Sequence, residues 1–143
     1  MTYQCNGAGF VAGSNAAPQT VSVVVNHPAT VASGASYSVT ATVPTLNLVA
    51  APPFLDLNAA GITANAAATV SNGTIGNAGP ATVFFVGNGA TGTVAPLTAI
   101  GTAGAAGTMT GDIGTINILS GSTGFICTPT APVSGAAFSI TVA

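Results

Sequence analysis

Ser36-Tyr37-Ser38-Val39-Thr40-Ala41-Thr42-Val43 decides the fold of this chain. Successive side chains on an extended strand point to opposite faces. Tyr37, Val39, Ala41 and Val43 therefore share one face, and Ser36, Ser38, Thr40 and Thr42 share the other. Ala137-Phe138-Ser139-Ile140-Thr141-Val142 repeats the pattern, with Phe138, Ile140 and Val142 on the apolar side. Thr20-Val21-Ser22-Val23-Val24-Val25 opens with period two and then turns wholly apolar, as a central strand would. Ala81 to Val86 is the most hydrophobic candidate, and Thr2 to Cys5, Ala66 to Ser71, Ile113 to Leu119 and Thr123 to Cys127 complete a set of about eight short strands. Half-buried strands of this kind build antiparallel sheets with one wet face.

Composition agrees. Val, Thr and Ile, which are stiff at χ1 and suit a pleated sheet, are common, while the straight-chain helix formers are scarce. Nineteen Gly and nine Pro interrupt the chain too often for long helices. Asn72-Gly73 and Asn88-Gly89 suit turns that need φ > 0, and His27-Pro28, Val43-Pro44 and Pro52-Pro53 end or bend strands. The expectation is all-β: a single antiparallel β-sandwich over residues 1–143, with Greek-key connections. Gly101 to Gly111, where Gly101, Gly104 and Gly107 recur every third residue, is expected to be a flexible connection or a tightly packed bulge. Disorder is excluded, because a mean hydropathy of +0.69 with almost no charge is the opposite of a disordered composition.

Charge is nearly absent. The 143 residues contain no Lys or Arg and only two acidic side chains, Asp56 and Asp112. Nucleic-acid binding, which rests on basic side chains, is excluded. No run of eighteen apolar residues exists, so no transmembrane helix is expected. A small membrane barrel would carry aromatic girdles, and the absence of Trp with only two Tyr weighs against one. No signal peptide is visible, so any export signal is expected to have been removed or to lie outside these residues.

Cys5 and Cys127 stand near opposite ends, at a spacing that fits no metal site. A structural disulfide is expected; the alternative is two buried free thiols acting as small hydrophobes. A bridge would point to an oxidising compartment. Other motifs carry less. Gly87-Asn88-Gly89-Ala90-Thr91-Gly92 matches GxGxxG literally, but no amphipathic helix follows, so a hairpin loop is expected in place of a dinucleotide site. Asp56 is expected at a turn or cap, and His27 in a loop. No GxSxG elbow, clustered carboxylates or metal-ligand pattern appears, so no catalytic residue, metal or cofactor is expected. Asn72-Gly73-Thr74 fits the N-glycosylation acceptor tripeptide.

Tyr3-x-Cys5, the Val-rich strand, Pro28, Val31-x-x-Gly34, the alternating strand from Tyr37 and Cys127 before the last strand resemble immunoglobulin-like domains of secreted bacterial envelope proteins, actinobacterial ones among them. The chain lacks the Trp that packs on the disulfide of antibody domains. The resemblance implies a non-catalytic surface module and assigns no site.

The function expected from these observations is structural: an extracellular, non-enzymatic subunit whose copies associate into a filament or layer. A chain without charge has little repulsion between copies, and its strand edges lack the Lys residues that commonly block edge pairing. The terminal strand, with Phe138, Ile140 and Val142 on its apolar side, is a candidate for donation to a neighbouring copy, against the alternative of pairing within its own chain. Two further readings stand beside this one: a monomeric envelope or adhesion module for a neutral glycan or lipid, and a virion decoration protein.

Overall fold

The computed structural model describes residues 1–8, 15–47, 61–86, 91–120, 123–131 and 137–143. Asp56, Pro52-Pro53 and Asn88-Gly89, and with the last pair most of the GxGxxG run, lie outside the described residues. Among the described residues fourteen strands form: β1 (Thr2–Ala8), β2 (Asn15–Ser22), β3 (Val24–Asn26), β4 (Thr30–Val31), β5 (Ser36–Thr42), β6 (Leu46–Asn47), β7 (Thr63–Val70), β8 (Gly73–Ile75), β9 (Ala78–Val86), β10 (Thr91–Val94), β11 (Leu97–Ala103), β12 (Gly107–Ser120), β13 (Thr123–Ala131) and β14 (Phe138–Val142). The all-β sandwich expected from the sequence is what forms. The strand number exceeds the expected eight because four strands, β3, β4, β6 and β8, are only two or three residues long, and because β10 and β11 are not among the expected strands.

The larger sheet runs β2-β1-β13-β12-β7-β9-β10-β6, with β14 beside β12 and β4 beside β14. The smaller sheet runs β3-β5-β11-β8. Pairing is antiparallel except between β14 and β4. The chain changes sheet over very short links: only Val23, itself buried, separates β2 from β3. Alternation produces the core. β5, β11 and β14 each bury every second residue, and the buried set (Tyr37, Val39, Ala41, Leu97, Ala99, Phe138, Ile140, Val142) joins one cluster with Tyr3, Ile116, Ile118 and Phe125.

Gly101 to Gly111 differs from the expected connection. Most of it is strand, and only residues 104–106 link β11 to β12. Two glycines are there to admit rings. Gly101 pairs with Tyr37 across β11–β5; a Cβ at Gly101 would run into Thr74 O on β8 and lie 2.7 Å from the Tyr37 ring. Gly111 pairs with Phe138 across β12–β14 and makes room for its ring in the same way.

β12 also changes face midway. Met109, Gly111 and Ile113 point inward, then Ile116 and Ile118 do. A regular strand would turn one of these sets to solvent, because a shift of one residue swaps the faces. The ladder to β7 slips between Ile113 and Ile116, and this bulge keeps the Ile side chains of both halves in the core.

The ends of the larger sheet approach each other. Gln19 on β2 donates from Nε2 to Asn47 O at 2.5 Å, and Asn47 N donates to Gln19 Oε1 at 3.0 Å. One side-chain amide thereby makes the two bonds a backbone amide would make, and joins the first strand of the path to the last.

Candidate interaction surface

Tyr3 and Cys5 fix β1 against the body of the larger sheet. Both are fully buried, as alternate residues facing inward must be. Cys5 is in register with Cys127 on β13, and the two are joined by a disulfide that links residues 122 apart in sequence. Tyr3 OH donates to Ile113 O at 2.9 Å and to Gly114 O at 3.2 Å, the carbonyls at the β12 bulge. Burial, with the Asp112 carboxylate adding to it, pushes the Tyr3 phenol up to about 12. Burial also raises the Tyr37 phenol, whose OH donates to Thr74 O at 3.1 Å. These groups hold the fold.

His27 and Asp112 are each occupied locally. The exposed His27 ring lies against Phe138, with centroids 5.8 Å apart, and its Nδ1 is 3.0 Å from Pro28 O. Asp112 Oδ1 accepts the Ala137 amide at 3.1 Å. Among the described residues no hydrogen bond joins the two, and no group of three or more His, Cys, Asp or Glu could hold a metal ion.

The outer face of the smaller sheet is the distinctive surface. β5 turns Ser36, Ser38, Thr40 and Thr42 outward, and β11 turns out Thr98, Ile100 and Thr102. The register lines these up: Thr40 opposite Thr98, Ser38 opposite Ile100, Ser36 opposite Thr102, and Thr102 opposite Thr74 on β8. Thr40 and Thr98 share a hydrogen bond between their hydroxyls at 3.2 Å. Ile100, 68% exposed, stands within this hydroxyl field, with Val24 and Asn26 on β3 at its margin. The larger sheet is similar in chemistry. Thr20 Oγ1 donates to Gln4 Oε1 at 2.8 Å, and among the described residues Ile126 and Phe84 are large apolar side chains it exposes. The outer face of the smaller sheet can thus hydrogen-bond and pack, and none of these side chains is charged.

Sequence reasoning placed Phe138, Ile140 and Val142 on a strand that could be donated. In the structure this strand is paired on both edges within its own chain, antiparallel to β12 and parallel to β4. Donation would require it to leave both ladders. The acceptor tripeptide at Asn72 lies at the β7–β8 turn. There Asn72 Nδ2 donates to Ala105 O at 2.7 Å and Oδ1 accepts Ala105 N at 3.1 Å. The nitrogen a glycan would need is in use. The hydroxyl face itself went unrecognised as a surface. Its signal was the row of Ser and Thr in β5, which sequence reasoning used only to assign the strand.

No helix among the described residues is long and apolar enough to cross a membrane. No protein-family model and no curated protein matches the chain. Its fold is similar to the crystal structure of a "putative membrane anchored protein" from Corynebacterium diphtheriae, with a TM-score of 0.60 at 15% identity. The match covers 99% of this chain and 36% of that one, so the chain spans little more than a third of its neighbour's length. At this identity the likeness shows the fold.

Proposed function

We propose that this chain is a non-enzymatic, extracellular module of a cell-envelope protein, and that it packs through its neutral sheet faces against other copies of itself. The observation that carries this reading is the outer face of the smaller sheet, where exposed Ile100 and a register of Ser and Thr hydroxyls face solvent with no Lys or Arg anywhere in the chain. An ordinary monomer keeps mixed charges on such a face, which holds copies apart. The buried Cys5–Cys127 disulfide suits an oxidising compartment. The sandwich likeness to part of a longer protein described as membrane anchored supports an envelope setting, as does the immunoglobulin-like resemblance of the Tyr3-x-Cys5 start.

Association through faces accounts for the sheet margins better than association through edges. Of the margin strands, β3, β4, β6 and β8 offer only two or three residues each, and short edge strands are poor templates for pairing; β2 is longer, but its Gln19 side chain is already engaged with Asn47 on β6. A filament or layer built from this module would therefore stack sheets rather than extend ladders.

Light scattering over a concentration series tests the reading. The wild-type chain should associate reversibly, and Ile100→Lys with Thr40→Lys should remain monomeric while keeping the same circular dichroism spectrum. A wild-type chain that is monomeric throughout overturns it. The second reading, a monomeric module for a neutral glycan, draws on Phe84: its ring is 56% exposed on β9, opposite Thr93 and two residues from Thr82, as a sugar-stacking platform would be. Glycan binding lost in Phe84→Ala, with no self-association, would select it.

A further inference from the structure

Asn72-Gly73 joins two requirements that pull in opposite directions. Gly73 has φ +115°, and a Cβ there would run into Thr102 O and lie 2.8 Å from Gly104 N. Only glycine fits this turn. The fold is thus committed to an Asn-Gly dipeptide, in which the glycine nitrogen is unhindered and the Asn side chain is open to intramolecular attack. The Asn is equally fixed. Its amide bonds both backbone groups of Ala105, and its Oδ1 occupies the space that a Cβ on Gly104 would fill. Gly104 is therefore the gap into which the Asn72 amide fits, and its own N–H donates to Asn72 O at 3.4 Å.

We infer that Asn72 is a deamidation site gated by the fold: closed while its amide is clamped on Ala105, and open when the 104–106 link lets go. The reaction is self-contained. The Gly73 backbone nitrogen forms a bond to Asn72 Cγ and gives up its proton. The Cγ–Nδ2 bond breaks, and ammonia leaves with that proton. Water then opens the resulting five-membered imide at either carbonyl, leaving Asp or isoAsp at position 72. In the folded chain the clamp holds the amide toward Ala105, and Gly73 is pinned in the ladder opposite Ala103. Attack on Cγ requires both restraints to be released together. The product would matter to this chain in particular. One new carboxylate changes a formal charge of −2 to −3 and places its oxygen against Ala105 O, where an N–H donor stood. Modification would thus hold the link open once it had opened.

The test follows deamidation in mildly alkaline buffer by mass spectrometry of thermolysin peptides, with isoAsp detected by enzymatic methylation. Asn6-Gly7 in the urea-unfolded chain serves as the reference rate. Asn72 in the folded protein should react at least about tenfold more slowly than in the unfolded chain, as expected for a site exposed only by local opening. Gly104→Ala, whose Cβ would displace the Asn72 amide, should remove most of that protection. Should this variant fail to fold, the wild-type protein in sub-denaturing urea replaces it: Asn72 deamidation and Ala105 N–H exchange should accelerate in parallel. Equal rates in folded and unfolded chains, deamidation that ignores Ala105 exchange, or a product containing Asp with no isoAsp would each overturn the inference.

Discussion

Phe138 lies with its ring over Gly111, its direct partner across the β12–β14 ladder, in the space that a Cβ at 111 would occupy. The ring is itself buried in the core, so it has little room to move aside. Gly111, in the stretch expected to be a flexible connection or a tightly packed bulge, is therefore a packing residue within a strand.

Gly111→Ala should accordingly destabilise the protein by about 1–3 kcal/mol, the usual cost of forcing extra volume into a packed core. Gly76→Ala is the control. Its Cβ would meet nothing closer than Ile100 O at 3.6 Å, and stability should change by no more than about 0.5 kcal/mol. Urea unfolding of the two variants beside wild type measures both. Equal midpoints for the two would contradict the packing account.

Tyr3 makes stability depend on alkaline pH. Its phenol titrates near 12 in the fold against an ordinary value of 10, so between these values the unfolded chain gives up a proton that the folded chain keeps. Stability is then full below pH 10 and falls as pH rises toward 12. Tyr3→Phe should remove the part of this decline that Tyr3 causes and leave the part due to the raised Tyr37 phenol. It should also cost about 1–3 kcal/mol at neutral pH, since the Ile113 and Gly114 carbonyls lose their donor. Thermal melts from neutral pH to 12, completed quickly enough to spare the disulfide, would show whether the two proteins converge as expected.

Strands whose hydropathy and burial share a period were legible in the sequence. β5 and β14 are of this kind, because their apolar residues face inward and their Ser and Thr face out. β11 buries every second residue as regularly but was hidden, since Ile100 faces solvent while Ala99, Gly101 and Ala103 face the core. Glycine is opaque for a related reason. The purpose of Gly101 and Gly111 is to admit the rings of Tyr37 and Phe138, which lie far off in sequence. The bulge in β12 leaves only the three-residue spacing of Ile113 and Ile116, which reads as noise in a two-residue period. Of the surface, the absence of charge was plain from composition, while the lining-up of Thr40 with Thr98 and of Ser38 with Ile100 needed the register.

The disulfide closes a long loop, and its removal should be felt globally. Linking residues 122 apart restricts the unfolded chain by about 5 kcal/mol on loop-entropy grounds. Replacing both Cys5 and Cys127 with Ala should cost about 2–5 kcal/mol, the range found when native bridges are removed from small domains. Because Tyr3 still ties β1 to the β12 bulge, the variant should keep a β-sheet circular dichroism spectrum while its urea midpoint falls. A midpoint unchanged from wild type would show that the bridge contributes nothing to the equilibrium.

Gln19 and Asn47 join the two ends of the larger sheet through one side chain, so the joint can be cut without touching the core. Gln19→Glu is the informative change. A carboxylate keeps the acceptor for Asn47 N but loses the donor to Asn47 O and sets an anionic oxygen against a carbonyl. Gln19→Ala removes both bonds and leaves the backbone groups to water. If the side chain acts as a substitute ladder, Gln19→Glu should be the worse of the two at neutral pH and should recover on acidification, when the carboxyl regains a proton to donate. Gln19→Ala should cost about 0.5–1.5 kcal/mol, the ordinary net worth of such bonds, with no dependence on pH between 3 and 7 beyond that of wild type. Amide hydrogen exchange at Asn47 reads the joint directly: protection should drop in Gln19→Ala, and return in Gln19→Glu as the pH falls through the Glu range. Unchanged protection in both variants would mean that the two strands are held together by something other than this amide.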